Sequence, residues 1–312
     1  MTTQSNPQSP DSVWANEIVS FNLRLREKTF YNADYFGRIV MPLLDLPPSA
    51  RVLDVGCGYG GLSFTLTGVR PDLQITGVDT EAVALDRAAK TAAENGWSNL
   101  MFEQGDGHQL RYEDNLFDAV MCQTVLTHVS DAARVIGEMA RVLKPDGVFM
   151  AAEYTDMGEP MLYSSVDDEK RNEAWIQEYF RLSRLFIQGK RTIGRGDDQL
   201  GIRIPYLATV AGLDVFDVRL NDRVLHVIPP YRHPKQGDYL ELLKANFAPD
   251  QDNCNLDRVI DMMKAAGGTE EEATWFYNAE DEVAVRQAIE ERILTRISAY
   301  MLFLTFARKP SA

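Results

Sequence analysis

The sequence predicts an α/β fold built around a mostly parallel sheet. Between Arg51 and Ala152, short apolar runs alternate with stretches of helical periodicity, which is the pattern of βαβ units. A glycine-rich turn follows the first apolar run, as expected where a strand passes into a helix beside a ligand. Because 45% of the 312 residues are apolar, the chain can bury a full core without disulfide or metal support.

The charge balance and the cysteine content narrow the function classes. Lys and Arg number 32 against 46 Asp and Glu, which gives a formal charge of −14. A chain this acidic repels phosphate, so neither nucleic acid nor an anionic membrane is expected as a partner. The three widely spaced cysteines favour a reducing compartment over a disulfide framework or a CxxC metal site. Without a recognisable signal peptide or an apolar run of about 20 residues, a cytoplasmic location is expected.

The N-terminal part is predicted to cover the sheet. Residues 1–12 are rich in Ser, Pro and Gln and are expected to form a disordered tail. Residues 13–48 are expected to form a helical cover, because Ile18, Phe21 and Leu25 recur at helical spacing.

Five strands and two helices follow in the central part. Apolar runs separated by helical patterns define the strands, and Asn95-Gly96 and residues 144–147 end the helices. The predicted strands are 51–56, 74–79, 100–106, 117–123 and 147–154, with helices at 81–94 and 131–143.

The alternation of strand and helix patterns ends after residue 154. Residues 155–200 are polar and helical in parts, and 212–220 and 297–309 are predicted as two further strands. The core is therefore assigned to 49–225 and 297–312. The acidic, helically patterned stretch 226–296 is interpreted as an insertion that serves as a lid, as a dimer arm or as both.

The glycine-rich turn lies in VLDVGCGYGG, residues 52–61. Glycines at 56, 58 and 60 allow tight turning and close approach of a ligand to the main chain. Positions 56, 58 and 61 also satisfy GxGxxG, so spacing alone leaves a nicotinamide cofactor and a nucleoside cofactor open. Asp79, at the end of the second predicted strand, could accept from ribose hydroxyls in either case. Asp54, where a dinucleotide loop normally has an apolar residue, and Asp106, at the end of the third predicted strand, favour a nucleoside.

Five motifs in order carry a family resemblance. VLDVGCGYGG, GVD, GDGHQL, FDAVMCQTVLTHV and ARVLKPDG together resemble the class I S-adenosylmethionine-dependent methyltransferases that act on small molecules. The resemblance is strong over residues 50–154. It implies a Rossmann-like, seven-stranded, mostly parallel sheet whose last strand is antiparallel, with helices on both faces, the N-terminal helical cover and the large insertion between the last two strands. It also implies S-adenosylmethionine as the cofactor.

The resemblance further assigns cofactor-binding residues. Glycines 56, 58 and 60 would lie against the methionine part, with Cys57 as a small buried filler in the same loop. Asp54 would orient that loop or meet the cofactor's amino group. The remaining assignments are Asp79 and Thr80 at the ribose, Asp106 and Gly107 at the adenine, and Gln123 and Thr124 beside the methionine moiety.

Candidates for catalysis and acceptor binding lie near the predicted strand ends and in the insertion. Tyr31 is a candidate catalytic residue and Tyr35 a substrate-binding one, although packing against the sheet explains both equally well. Glu153 is a candidate base or ammonium anchor, or a plain strand-end carboxylate. Arg191, Arg195 and Arg203 are suited to a substrate carboxylate or to a solvated face. Tyr154, Arg203 and His226 complete the predicted substrate-binding set, and no metal site is expected.

The predicted function is methyl transfer from S-adenosylmethionine to a small-molecule acceptor. An amino-acid-like acceptor is favoured, including a thioether such as methionine, because of the arginine-rich stretch, Glu153 and the lack of an obvious base. The alternatives are O- or N-methylation of an aromatic or quinone-like metabolite, a protein substrate with a basic tail, a nicotinamide-dependent oxidoreductase and a non-catalytic binding protein.

Overall fold

The computed structural model describes residues 30–32, 34–156, 162–166, 168–247 and 256–311. The predicted tail at 1–12, and residues 13–29 of the predicted helical cover, lie outside the described residues. Along the described chain the strands are β1 (Arg51–Val55), β2 (Gln74–Asp79), β3 (Leu100–Gln104), β4 (Phe117–Gln123), β5 (Leu143–Tyr154), β6 (Leu162–Ser164), β7 (Asp214–Leu220), β8 (Val224–Val227), β9 (Arg296–Ala299) and β10 (Leu302–Arg308).

Helices fill the connections between these strands. A π-helical turn at Phe36–Val40 runs into the first of them. The α-helices are α1 (Met41–Leu44), α2 (Gly61–Val69), α3 (Ala82–Glu94), α4 (Ala132–Val142), α5 (Glu173–Thr192), α6 (Ile204–Val210), α7 (Lys235–Asn246), α8 (Leu256–Ala265), α9 (Glu270–Tyr277) and α10 (Glu282–Glu290).

The main sheet has seven strands in the order β3-β2-β1-β4-β5-β10-β7. Its first five strands are parallel to one another, whereas β10 runs antiparallel to both β5 and β7. Strand order reverses between β1 and β4, which is where an open α/β sheet places its ligand. The predicted seven-stranded, mostly parallel sheet is therefore confirmed.

Helices cover both faces of the main sheet. On one face, Ile136 and Met139 of α4 join Ile204 of α6 in a continuous apolar core. On the other face, Leu44 of α1 and Leu66 of α2 pack against the opposite side chains of the same strands. Because both faces are covered, the strands read as nearly continuous apolar runs, which is why the sequence revealed them.

Two predicted strands differ from the structure by more than two residues at a boundary. The stretch 297–309 is not one strand, because β9 pairs with β6 and β8 in a separate three-stranded sheet and only β10 enters the main sheet. An apolar run does not reveal where a strand changes partners. Strand β5 starts at Leu143, directly after α4, and not at Gly147. Its pairing with β4 shifts register between Phe117 and Ala119, which accommodates the extra residues.

Two long connecting segments, here called excursions, leave the main sheet at the carboxyl ends of its parallel strands, here called the carboxyl edge. Strands β5 and β7 end there, and β10 begins there, since Glu153 and Leu220 both lie opposite Phe303. The excursion before β10 contains β8, β9 and helices α7–α10, and the one after β5 contains β6 and α5. Among the described residues, no helix combines the length and apolarity needed to cross a bilayer.

Candidate functional site

Three polar side chains lie on one face of the main sheet, at the carboxyl ends of neighbouring strands. Asp54 pairs with Met121, and Gln123 stands two residues further along β4. Gln123 in turn pairs with Ala152, and Tyr154 stands two residues further along β5. Because side chains alternate between the faces of a strand, Asp54, Gln123 and Tyr154 share a face. This face of the carboxyl edge is the candidate site.

The glycine loop closes the end of β1 against its neighbours. Gly56, Gly58 and Gly60 have φ angles of 69°, 50° and 86°, which side chains rarely allow. A Cβ on Gly56 would lie 2.5 Å from a Val125 methyl carbon, whereas a Cβ on Gly58 would meet nothing within 4 Å. Glycine is thus required at 56 by packing, and the main chain at 58 borders open space.

Asp54 fixes this loop to the helix that follows it. The side chain is buried, and its carboxylate accepts a hydrogen bond of 2.7 Å from the Ser63 hydroxyl on α2. Burial raises the pKa of Asp54 to about 7, against a lowering by the Ser63 bond. This hydrogen bond agrees with the predicted role of Asp54 in orienting the loop. The other predicted role of Asp54, contact with a cofactor's amino group, stays a prediction.

Asp79 joins the end of β2 to the same loop. One carboxylate oxygen accepts from the Gly58 N–H at 2.8 Å and the other from the Glu81 N–H at 3.0 Å. Burial raises the pKa of Asp79, and these backbone bonds act in the opposite direction. The carboxylate is therefore oriented before any ligand arrives, with Thr80 exposed beside it. Binding of ribose by Asp79 and Thr80 stays a prediction.

The loop after β3 contains Asp106, Gly107 and His108. Asp106 is exposed, and its Oδ1 accepts from the His108 backbone N–H and lies 2.8 Å from His108 Nδ1. Partial burial acts to raise the pKa of Asp106, but the bonds from His108 bring the net pKa below its ordinary value. His108 Nε2 is buried without a hydrogen-bond partner among the described residues. The loop therefore offers an ionised carboxylate and an unsatisfied ring nitrogen.

The end of β4 meets the N-terminal segment. The Tyr31 hydroxyl donates to Gln123 Oε1 at 3.2 Å, and its ring stacks on Tyr35 at 5.3 Å between centroids. Burial raises the pKa of Tyr31 well above its ordinary value, so the phenol stays protonated at neutral pH. Thr124 follows with φ 53° and donates its N–H to the Ala152 carbonyl. A catalytic role for Tyr31 stays a prediction.

Glu153 requires a correction. It does not lie on the rim of the site but is fully buried, with a pKa raised by burial. One oxygen accepts from the backbone N–H groups of Val125 and Leu126, each at 2.9 Å, and the other accepts from the backbone and the hydroxyl of Thr127. Glu153 therefore holds the loop after β4 in place, and the prediction of an accessible base or ammonium anchor is wrong.

The arginine cluster also requires a correction. Asp197 lies between Arg191, at 2.7 Å, and Arg203, at 3.0 Å. Arg203 is more than half exposed, and Gln199 takes a further hydrogen bond from Arg191. Because one carboxylate already pairs with both guanidinium groups, Arg203 does not form the predicted carboxylate-binding site with Arg191.

Two other predicted substrate contacts lie elsewhere. Tyr35 is buried, and its hydroxyl donates to the Leu220 carbonyl at 2.8 Å, so it packs against the sheet as the alternative interpretation held. His226 lies on β8, opposite Ile297 of β9, in the small sheet. Its place is therefore the excursion before β10 and not the carboxyl edge of the main sheet.

Sequence reasoning missed Lys190 and Asp198. Asp198 accepts a hydrogen bond of 2.5 Å from the Tyr154 hydroxyl and also pairs with the Lys190 ammonium. The loop that carries Asp198 packs tightly, since a Cβ on Gly196 would lie 2.2 Å from the Thr127 carbonyl oxygen. The sequence GRGDD, with glycines at 194 and 196 followed by two aspartates, was the available signal for a close turn that presents an acid.

A surface groove of about 1000 Å³ lies in the helical excursions. Its lining includes Trp175, Trp275 and Tyr277 together with acids such as Glu271 and Glu282. None of the predicted site residues lines this groove, so it is separate from the carboxyl edge. Among the residues that the structure describes, no cluster of three His, Cys, Asp or Glu side chains is placed to hold a metal ion.

Part of the chain is similar in sequence to known methyltransferases. Residues 47–191 match the family model described as a methyltransferase domain. A sterol 24-C-methyltransferase of Neurospora crassa is 40% identical over 33% of this chain and 27% of that enzyme. A glycine/sarcosine/dimethylglycine N-methyltransferase of Actinopolyspora halophila is 34% identical over 42% of this chain and 21% of that enzyme. The chain therefore spans about a quarter of the length of these relatives.

Solved structures extend the likeness of fold across the chain. The crystal structure of the [4+2]-cyclase SpnF matches with a TM-score of 0.56 at 21% identity, over 95% of this chain and 94% of that one. At 21% identity the similarity shows only that the two chains share a fold, and one fold can support more than one reaction.

Proposed function

Residues 47–191 form a class I S-adenosylmethionine-dependent methyltransferase domain, and from this premise we propose that the chain transfers a methyl group to a small-molecule acceptor. The observation that supports this most is the arrangement at the carboxyl edge. There the glycine loop, Asp79 and Asp106 end three neighbouring strands, and open space lies at Gly58.

The residues present fit S-adenosylmethionine, the cofactor of this family. When bound, it supplies a methyl group on a cationic sulfonium and brings no phosphate to the site. The main chain at Gly58 admits a ligand, and the oriented carboxylate of Asp79 can accept from two ribose hydroxyls. Asp106 can accept from an exocyclic amine, and the unsatisfied Nε2 of His108 can take a partner from a bound base. An acidic edge suits a cation better than a pyrophosphate.

The acceptor that we propose is a compact, amino-acid-like molecule. The N-methyltransferase relative acts, by its name, on glycine and its methylated forms, and it supports this size of acceptor. The sterol relative supports a larger apolar one, so the likeness of sequence favours neither by itself. The sequence-based preference for an amino-acid-like acceptor, a thioether included, rested on the arginine cluster, on Glu153 and on the lack of an obvious base. The first two are occupied by contacts within the chain, so the N-methyltransferase relative is the remaining support and makes nitrogen the better-supported acceptor atom.

Two measurements test the proposed function in sequence. Calorimetric titration with S-adenosylmethionine and with its demethylated product is expected to give one binding event per chain. Incubation with methyl-labelled cofactor and a panel of amino acids, phenols and quinones is then expected to label an amino-acid-like member. Absence of binding would refute the cofactor assignment. Binding without transfer to any acceptor would instead support a binding protein that keeps the fold.

A further inference from the structure

Tyr154, Asp198 and Lys190 form a hydrogen-bonded trio at the carboxyl end of β5. Lys190 and Asp198 are 9% and 7% exposed, and Tyr154 is half-buried. Asp198 Oδ1 accepts from both the Tyr154 hydroxyl and the Lys190 ammonium. The trio thus links the last turn of α5 to the strand that ends next to β4.

The direction of the hydrogen bonds limits what Tyr154 can do. A carboxylate has no hydrogen to give, so the Tyr154 hydroxyl donates its single hydrogen to Asp198. In any further hydrogen bond, Tyr154 can act only as the acceptor. Lys190 provides the counter-charge of the buried Asp198 carboxylate.

The surrounding loop holds this trio against the sheet. Asp197 donates its N–H to the Thr127 carbonyl at 3.0 Å, and Ile202 donates its N–H to the Thr155 hydroxyl at 2.8 Å. A Cβ on Gly201 would lie 2.4 Å from the Glu153 carbonyl oxygen, so the main chains are in direct contact. A buried ion pair is rarely more stabilising than apolar side chains of similar size, so stability alone does not account for this pair.

We propose that Tyr154 selects acceptors that present an N–H or O–H group, and that Asp198 and Lys190 position it. The inference rests on the proposed function. Its geometric support is that the Tyr154 side chain shares a face with Asp54 and Gln123 at the carboxyl edge of the main sheet. An acceptor that carries a hydrogen on the atom to be methylated can donate it to the Tyr154 oxygen. A thioether has no such hydrogen and is left without this contact.

The test compares Tyr154→Phe with wild type on the acceptor that the labelling panel identifies. Losing one hydrogen bond is expected to raise KM about tenfold with kcat nearly unchanged. Affinity for the demethylated cofactor is expected to stay the same. Asp198→Asn is expected to raise the same KM, since the amide can donate to Tyr154 and release its hydroxyl hydrogen. Tyr206→Phe makes the same chemical change at an exposed position and serves as the control.

The outcomes separate this assignment from the proposed function. Methyl transfer to nitrogen or oxygen with a raised KM in Tyr154→Phe supports the assignment. Transfer to a thioether sulfur, or a KM unchanged by Tyr154→Phe, overturns the assignment and leaves the proposed function intact. Cofactor binding without transfer to any acceptor overturns both.

Discussion

The carboxyl edge of the main sheet has two halves that are built in different ways. In the half formed by β1, β2 and β3, contacts are local in sequence: Asp54 and Ser63 are 9 residues apart, and Gly58 and Asp79 are 21 apart. In the half formed by β4 and β5, the partners are distant. Tyr31 and Gln123 are 92 residues apart, and Tyr154 and Asp198 are 44 apart.

This difference follows from the topology of the βαβ unit. A strand, its following turn and the next helix are contiguous, so one short motif contains both partners of each contact in the first half. The second half is completed by segments that enter from outside the unit. Tyr31 and Asp198 both lie outside the residues matched by the family model, which end at 191. The matched range therefore contains every residue of the first half's contacts, whereas the second half is completed by residues on both sides of that range.

The largest expected effect concerns the stability of the second half. Lys190→Met leaves the buried Asp198 carboxylate without its cation, which is expected to lower the free energy of unfolding by about 3–5 kcal/mol. Urea denaturation measures the change. Arg203→Met removes the exposed partner of Asp197 and is expected to cost less than about 1 kcal/mol. Equal effects of the two variants would show that the trio does not hold the second half together.

The next effect concerns cofactor affinity in the first half. Asp79→Ala removes the acceptor of two backbone N–H groups and the predicted partner of the ribose, so affinity is expected to fall about 100-fold. Calorimetric titration with the demethylated cofactor measures it. Asp214→Ala, an exposed acid on the edge strand β7, is the matched control. If Asp79→Ala binds like wild type, the ribose assignment is wrong even though the fold is right.

The same contrast explains how far the sequence could predict the site. The sequence alone placed Asp54, Asp79 and Asp106 on neighbouring strands near their carboxyl ends, because each acid directly follows or ends an apolar run. It could not reveal that Glu153 points into the core or that Asp198 reaches Tyr154, since both facts depend on loops brought together by the fold. The division of 297–309 between two sheets was hidden for a related reason. Apolar periodicity reports burial and not the identity of the neighbouring strand.

A smaller effect is expected from the pH dependence of Asp54. Its pKa is about 7 in the folded chain against an ordinary 3.8, so between pH 5 and pH 7 the folded state binds more protons than the unfolded state. The free energy of unfolding therefore falls as pH rises through this window, by about 2 kcal/mol from this group. Asp54→Asn is expected to remove that part of the dependence, as measured by urea denaturation without cofactor.

Asp118→Asn is the control for this measurement. Partial burial acts to raise the pKa of Asp118, but hydrogen bonds from Lys144 and the Arg51 N–H lower it overall. Its contribution to stability is therefore present above the unfolded pKa and is lost only as pH falls below that value. An unchanged slope between pH 5 and pH 7 in Asp54→Asn would contradict the buried, protonated state of Asp54.

The most direct test of the account is a crystal structure of the chain with the demethylated cofactor bound. The amino-acid part is expected to lie against the main chain at 56–60, with the ribose at Asp79 and the adenine at Asp106. Its sulfur would then face the edge occupied by Gln123 and Tyr154. A nucleoside bound away from this edge, or a crevice at Gly58 that stays closed to it, would contradict the account.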